Sequence, residues 1–505
     1  MKKLLLIIGT LLPFLSFSQD GLLDQTFGTN GIALAEGNYA AKGVSIQTDG
    51  KIVTAGSKSD ANGTDFCIVR LNSDGKLDNT FGTDGVVVVD FSTKTDNALD
   101  MAIQADGKMI VVGSAIISNH TDIALIRLNT NGSLDNTFGT NGKVTTNIQG
   151  TSNDVASKVV IQADGKIVII GSGGTDMFNA NVVARYNTDG SLDNTFDTDG
   201  KLLGVSFAPV SLNTLSDIKI LADGKFIISG YSSNQPAIGK LNADGSFDVA
   251  FNTTGKLVIS ETIFGGNVCL VAVQADGKVL MSYGSGTTSE LKLLRLQTDG
   301  SLDTDFGTAG KASINIGANN DYAMAIKTLS NGKIIVSGST YVNSSATDFF
   351  IARLNSNGSL DNTFGTNGFA TTSVTTADGD RAEAMAVQSN GKIIVAGNKC
   401  TGSCNYVVLR YNNTSGGGTN TPSINEAVKA SIFPNPANLE TTIKLSEQAH
   451  EMKVIITDKL GKEMIRRESV NTSEMNITLG ELTKGIYMVQ VIADGVVSTQ
   501  KLLIH

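Results

Sequence analysis

The sequence predicts an all-β chain: a seven-bladed β-propeller of four-stranded blades, followed by a small C-terminal β-sandwich-like domain. Three observations carry that expectation. A turn of the form Leu-Asp-x-Thr-Phe-Gly recurs seven times, with its aromatic residue at Phe27, Phe81, Phe138, Phe196, Phe251, Phe306 and Phe364, in steps of 54 to 58 residues. Between these turns, short runs rich in Val, Ile and Thr are broken by tight-turn signals, with no helical periodicity. Four short antiparallel strands per unit, repeated seven times, fit a propeller better than a parallel solenoid, whose coils lack hairpin turns.

The chain opens with a basic tip, Met1-Lys2-Lys3, an apolar run from Leu4 to Phe17 and a small-x-small site at Ser16-Phe17-Ser18. This is the three-part form of a secretory signal peptide over residues 1–18, too short for a membrane anchor. Its removal leaves no transmembrane segment, and leaves 37 basic against 48 acidic residues, a net charge of −11. An acidic mature chain argues against nucleic acid or anionic lipid as a partner.

Residues 19–412 hold the seven units. In the second, the runs Gly85–Val89, Ala98–Gln104, Lys108–Gly113 and Ile123–Leu128 are the expected strands. Asp106-Gly107 joins the middle two, because Asp-Gly tolerates the positive φ of tight hairpins. The same turn stands at Asp49, Asp164, Asp223, Asp276, Asn331 and Asn390, always followed by Gly and Lys. The fourth strand ends in Arg70, Arg127, Arg185, Lys240, Arg295, Arg353 or Arg410, close before the Asp of the Leu-Asp turn, which invites pairing. No eighth turn follows Asn412, whereas Leu23–Gly31 has a turn and no strand before it. Docking Leu23–Gly31 beside Asn405–Asn412 would close the ring.

These units resemble the delta-60 repeat family through Asp-Gly-Lys-Ile, Arg-Leu-Asn, Asp-Gly-Ser-Leu-Asp and Thr-Phe-Gly, from Leu23 to Asn412. Phe247–Asn252 is the poorest match, lacking the Thr and the Gly. The resemblance implies a repeat fold in secreted bacterial proteins and no reaction. Residues 413–422 read as a flexible linker. Residues 423–505 read as a small all-β domain, similar to the type A C-terminal sorting domain of type IX secretion cargo. The carrying residues are Pro434, Asn435 and Pro436 after Phe433, Gly461 in Asp458–Lys462, Gly485 and Tyr487 in Leu482–Tyr487, and Lys501 in the terminal Gln500–His505. This resemblance implies outer-membrane secretion machinery as a partner of residues 423–505, and a final location outside the cell or on the outer-membrane surface.

Little in the chain carries chemistry. His120, His450 and His505 are too scattered for a histidine metal triad or a Ser-His-Asp arrangement inside the propeller. Cys67 and Cys269 lie in apolar runs and read as buried thiols, while Cys400 and Cys404 flank Thr-Gly-Ser and suit a local disulfide. No cofactor is expected. The Asp-rich turns leave calcium open, most of all Asp193, Asp197 and Asp199, although the Glu that completes an EF-hand loop is missing. Asp and Asn capping their own turns is the plainer reading.

Parity gives a better lead. In an up-and-down blade the repeated turns share one face, and every loop that differs between units shares the other. A unique ligand needs unique residues, so the variable face is the candidate binding face. Its distinctive residues are Tyr39, His120, Asp176, Phe178, Phe207, Tyr231, Asn320, Asp321, Tyr341, Asp378, Asp380 and Arg381. Asp378 and Asp380 offer paired carboxylates, and with Arg381 are expected to tolerate alanine as exposed loop residues. The expected function is non-catalytic binding or scaffolding toward an extracellular protein or glycan. The alternative is a carbohydrate-active or other hydrolytic propeller, against which the absence of Trp counts. A purely structural, adhesin-like part is a third reading.

Overall fold

The computed structural model describes residues 20–414 and 430–504, except 36, 62, 93, 151–152, 174–179, 208–212, 263–267, 285–289, 318–319, 344–345, 376–378, 402, 459–462, 481 and 494–495. The signal-peptide assignment and Asp176, Phe178, Asp378 and Gly461 lie outside the described residues.

After a lone strand β1 (Ile32–Ala35), the first complete blade is β2 (Tyr39–Ile46), β3 (Ile52–Asp60), β4 (Gly63–Leu71) and β5 (Val86–Val89), antiparallel in that order. Five further four-stranded sheets follow, with inner strands beginning at Asp96, Val155, Asn213, Leu270 and Asp321. The last sheet is composite: Asp380–Val387, Ile393–Thr401 and Ser403–Tyr411 are completed by β1, which pairs with Tyr406–Leu409. The ring therefore closes through the N-terminal segment, as the displaced turn implied.

One boundary moves. Val86–Val89 is the outer strand of the first blade, paired with Phe66–Val69, not the first strand of the second. The Leu-Asp turn thus joins strands three and four of one blade, and the amide of Asp78 still bonds the carbonyl of Arg70 across it. Parity survives the shift. Asp-Gly turns and Leu-Asp turns share one face, and the variable loops share the other.

Inner strands face the axis and cross it with a local irregularity. The register slips between Ala41 and Gly43, Ala98 and Asp100, Ala156 and Lys158, Leu215 and Asp217, Ala323 and Ala325, and Ala382 and Ala384. A bulge of this kind turns the next side chains to a new direction. The second strand answers with glycine: at Gly113 a Cβ would collide with the carbonyl oxygen of Asn97.

Blade-to-blade packing forms the core. All seven turn phenylalanines are buried, and each lies under its neighbour; Phe138, for example, clusters with Ile161 and Ile167 of the third blade. Asn413, assigned above to the linker, is 2 % exposed and bonds the carbonyl of Gly391 through its side chain, so the propeller extends to Thr414.

The C-terminal domain is one bent sheet of Ala430–Phe433, Glu440–Thr457, Glu463–Thr478, Gly485–Ala493 and Val496–Ile504. The long strand Glu440–Thr457 loses register with its partner between Lys444 and Ala449. Its first half pairs with Ala430–Phe433 and its second with Gly485–Ala493. The sheet thereby folds over a single core of Ile443, Val454, Ile456, Val489 and Leu502.

Candidate functional site

The repeated turns are scaffold, and their polar residues are consumed by it. In the second blade Arg127 Nε lies 2.7 Å and Lys108 Nζ 2.9 Å from the same oxygen of Asp135, whose other oxygen accepts the Thr137 hydroxyl at 2.8 Å. Arg127 also donates to the Thr188 carbonyl of the next blade and stacks over Phe138 at 4.7 Å. The Gly139 amide bonds Asp189 of that next blade. The same Arg-Asp-Lys set is built on Asp78, Asp193, Asp303, Asp361 and Asp24. In the fourth blade Lys225 lies 2.8 Å from Asp248, and Lys240, in place of Arg, makes a longer 3.5 Å contact.

These pairs set the acidity of their carboxyls. Burial pushes Asp24 up, but hydrogen bonds from Lys392 and Thr26 and the charge of Arg410 outweigh it and hold the group at about 2. Asp78, Asp135, Asp193 and Asp361 are held down by the same balance. Two of the three carboxylates that had suggested calcium are engaged by the chain's own cations: Asp193 by Lys166 and Arg185, Asp199 by Lys201 at 3.1 Å.

On the variable face the expected residues divide. Asp321 and Asp380 are buried rather than exposed. Asp380 accepts the backbone N–H groups of Val374 and Thr375, and Asp321 that of Ile316. Asp96 and Asp154 do the same for Phe91 and Ile148. These aspartates clamp the loop entering each inner strand, so the expectation that Asp380 tolerates alanine is overturned. Phe207 is core. Tyr39 and Tyr231 are half-buried at blade edges. His120 sits 3.3 Å from Asp122, which also accepts from Asn147 at 2.9 Å. Asn320 and Arg381 are exposed. Tyr341 packs edge-on against Tyr322 at 5.9 Å, and Asn320 reaches the Tyr322 hydroxyl at 3.4 Å. Tyr322 and Arg381 hold the same position in consecutive inner strands. Cys400 and Cys404 form a disulfide across the Ile393–Thr401 and Ser403–Tyr411 pair, and Cys67 and Cys269 are buried thiols.

Two features went unread in the sequence. Asp65, Asp90 and Asp96 bring carboxylate oxygens within 4.8 Å of one another. Burial, and then the charges of Asp90 and Asp65, raise Asp96 to about 6. The second is an axial cavity of about 290 Å³ lined by Asp100, Lys158, Asp217, Lys219, Lys327 and Glu383 among apolar residues.

In the C-terminal domain the motif residues knit its edge. Asn435 donates to the Lys501 carbonyl at 2.7 Å and accepts the Leu503 amide at 3.0 Å. Pro434 accepts the Thr441 hydroxyl, the bond from Ala437 to the Leu503 carbonyl follows Pro436, and Tyr487 donates to Thr483 just before Gly485. Lys501 is exposed.

Residues 47–81, 104–138, 162–196, 221–251, 274–306 and 329–364 match the family described as a domain of unknown function (DUF5122) β-propeller, and residues 431–505 match the secretion system C-terminal sorting domain. The chain carries DUF5122 propeller repeats and a type IX sorting domain. Six repeats match where seven blades stand, and the unmatched one is the composite blade, whose parts lie at opposite ends of the propeller sequence. The sorting domain marks the protein for export to the outer-membrane surface or beyond. No curated protein matches. Among solved structures, a streptogramin B lyase aligns at 12% identity over 75% of this chain and 96% of its own, TM-score 0.44. A virginiamycin B lyase from Staphylococcus aureus aligns at 14% over 75% and 98%, TM-score 0.45, and the polysaccharide lyase Uly1 at 12% over 78% and 97%, TM-score 0.45. No helix among the described residues is long and apolar enough to cross a membrane.

Proposed function

We propose that the propeller is a non-catalytic extracellular binding module that takes a protein or glycan on its variable face. The division of labour between the faces supports this reading. The repeated face spends its charges on holding blades together, whereas the variable face presents side chains that no other blade shares. The observation that carries the reading is the group formed by the Tyr322–Tyr341 pair, exposed Asn320 beside it and exposed Arg381 in the next blade. Flat amphipathic rings flanked by polar groups are the usual chemistry of such contacts. The hydrolytic alternative is weakened by Asp380, whose carboxylate is turned into the protein to hold the backbone of residues 374–375.

The exported protein should be offered to a glycan array and to a surface-proteome pull-down, and any ligand mapped by crosslinking. Contacts enriched around Asn320, Tyr341 and Arg381 are expected. Contacts concentrated on the Asp-Gly-Lys and Leu-Asp turns would refute the assignment. Turnover of the bound ligand by the protein would favour the hydrolytic alternative.

A further inference from the structure

Inner-strand residues just beyond the bulge line the axis, and the scaffold asks nothing charged of them. At the first such position Asp100, Lys158 and Asp217 align with Gly43, Leu270, Ala325 and Ala384 in the other blades. Two residues further on, Lys219 and Lys327 align with Ser45, Ala102, Val160, Ala272 and Ala386. Four blades and five blades, respectively, build the same ring with small or apolar side chains. The charges are blade-specific additions, unlike the Arg-Asp-Lys sets.

Most of them are matched internally. Lys42 pairs with Glu383 at 2.7 Å across the seam between the first and last blades. Lys219 pairs with Asp217 at 2.5 Å. Asp217 and Asp100 also accept the amides of Val271 and Val159 in the following blades. Lys158 and Lys327 have no direct partner, although the charges of Asp100 and Asp217, and at Lys158 that of Glu383, reach them. Neither has a hydrogen bond or an ion pair within 4 Å among the described residues, and both line the cavity of about 290 Å³. An ammonium group drawn out of bulk water without a partner is costly, and an oxyanion offers it charge-assisted hydrogen bonds.

We propose that the axial channel is a binding site for a small oxyanion, a phosphate, sulfate or carboxylate group held by the ammonium groups of Lys158 and Lys327. The cavity is large enough for such a group with waters and too small for an oligomeric ligand. Its walls come from the half of each inner strand nearest the Asp-Gly-Lys turns, so the site is separate from the variable face and stands whether or not that face binds anything. Burial, together with the neighbouring Lys219 charge, brings Lys327 down to about 8 against the pull of Asp217 and Asp100, whereas at Lys158 burial is outweighed by the charges of Asp100, Asp217 and Glu383, which raise it.

Inorganic phosphate, sulfate and glucuronate should each be titrated into the full exported chain, by calorimetry and, for phosphate, by ³¹P line broadening. Saturable one-to-one binding of at least one is expected, weakened about tenfold or more by K158M and by K327M and unchanged by K76M on the surface. Binding of the inorganic ions alone would identify a free oxyanion as the ligand, and binding of glucuronate alone an acidic sugar. A second measurement needs no variant: the bound anion should protect Lys158 and Lys327 of the native protein from acylation, mapped by mass spectrometry. No saturable binding up to about 10 mM, an affinity untouched by both substitutions, or unprotected lysines would overturn the proposal.

Discussion

The guanidinium of Arg353 lies 2.6 Å from the carboxylate of Asp20, 333 residues earlier in the chain. Elsewhere the same arginine nitrogen bonds a backbone carbonyl of the next blade, such as Thr188 for Arg127 and Ser356 for Arg295. At the seam Asp20 and Asn413 supply side-chain oxygens instead. Arg353 is fully buried and keeps Asp361 at 2.6 Å on its Nε, so removing Asp20 takes away the carboxylate acceptor of its Nη1. Asp20→Ala should cost about 1–3 kcal/mol, the range for leaving a buried donor short of its acceptor. Asp74→Ala, which breaks the exposed pair with Lys76, should change stability by less than about 0.5 kcal/mol. Equal urea midpoints for the two variants would mean that the seam is not closed in solution.

Acid should dissolve the Arg-Asp-Lys scaffold as pH falls below about 4. Asp24 is held at about 2, against an ordinary 3.8. A carboxyl depressed on folding contributes stability that is complete above its unfolded value and is lost as pH falls through the folded one. The equivalent aspartates are shifted the same way. Stability followed by urea midpoint should therefore fall cooperatively from about pH 4 toward pH 2. A flat profile over that window would contradict the pairing seen here.

Asp96 works in the opposite direction. Its folded value near 6 exceeds the ordinary 3.8, so the folded protein carries a penalty at neutral pH that is relieved as pH falls through 6. Asn keeps an acceptor for the Phe91 amide and removes the charge. Asp96→Asn should be more stable than the parent at pH 7 by on the order of 1–2 kcal/mol, with the difference vanishing near pH 4. Loss of stability at pH 7 would show that the three carboxylates are compensated in a way the protein chain alone does not supply.

The Leu-Asp turn should be intolerant wherever it is tested. Phe138→Ala removes a fully buried ring and should cost about 3–5 kcal/mol. Gly139 has φ of 53°, and a Cβ there would collide with the Lys143 carbonyl, so Gly139→Ala should destabilise by more than about 1 kcal/mol. Neither should alter ligand binding by the fraction that remains folded. Thermal denaturation beside binding assays separates the two effects.

Truncation after Thr421 should leave a folded propeller in the periplasm. The sorting domain has its own core, and the propeller's last described bond, from Thr414 to Asp20, precedes the cut. Fractionation that finds the truncated protein at the cell surface in normal amounts would count against the role of residues 431–505.

The parts of the fold that every blade needs were written seven times, and so were legible. Phe138, Asp135, Arg127 and Lys108 advertise themselves by recurrence. The blade boundary was misplaced because the Leu-Asp turn looks like punctuation, while the strand after it still pairs backward with Phe66–Val69. Asp321 and Asp380 were misread for a related reason. They were weighed as individual loop residues, although Asp96 and Asp154 stand at the same point of their units and signal a shared clamp. The axial charges were missed because each occurs in one or two blades, inside runs that otherwise read as apolar strand. Only the register at the bulge shows that Lys158 and Asp217 occupy equivalent places.

At the seam, Asn413 hands over to Asp20 without a gap in the pattern. The Gly21 amide bonds Asn412, Asn412 bonds Leu22 and Asp24 bonds Arg410, as Gly75, Asn72 and Asp78 do within one continuous turn. The spliced turn therefore repeats the backbone bonds of the other six, and differs from them in the side-chain oxygens that Asp20 and Asn413 offer to Arg353. Circular permutants that join 413 to 20 and open at any other Asp-Gly of the same series should fold to the same ring.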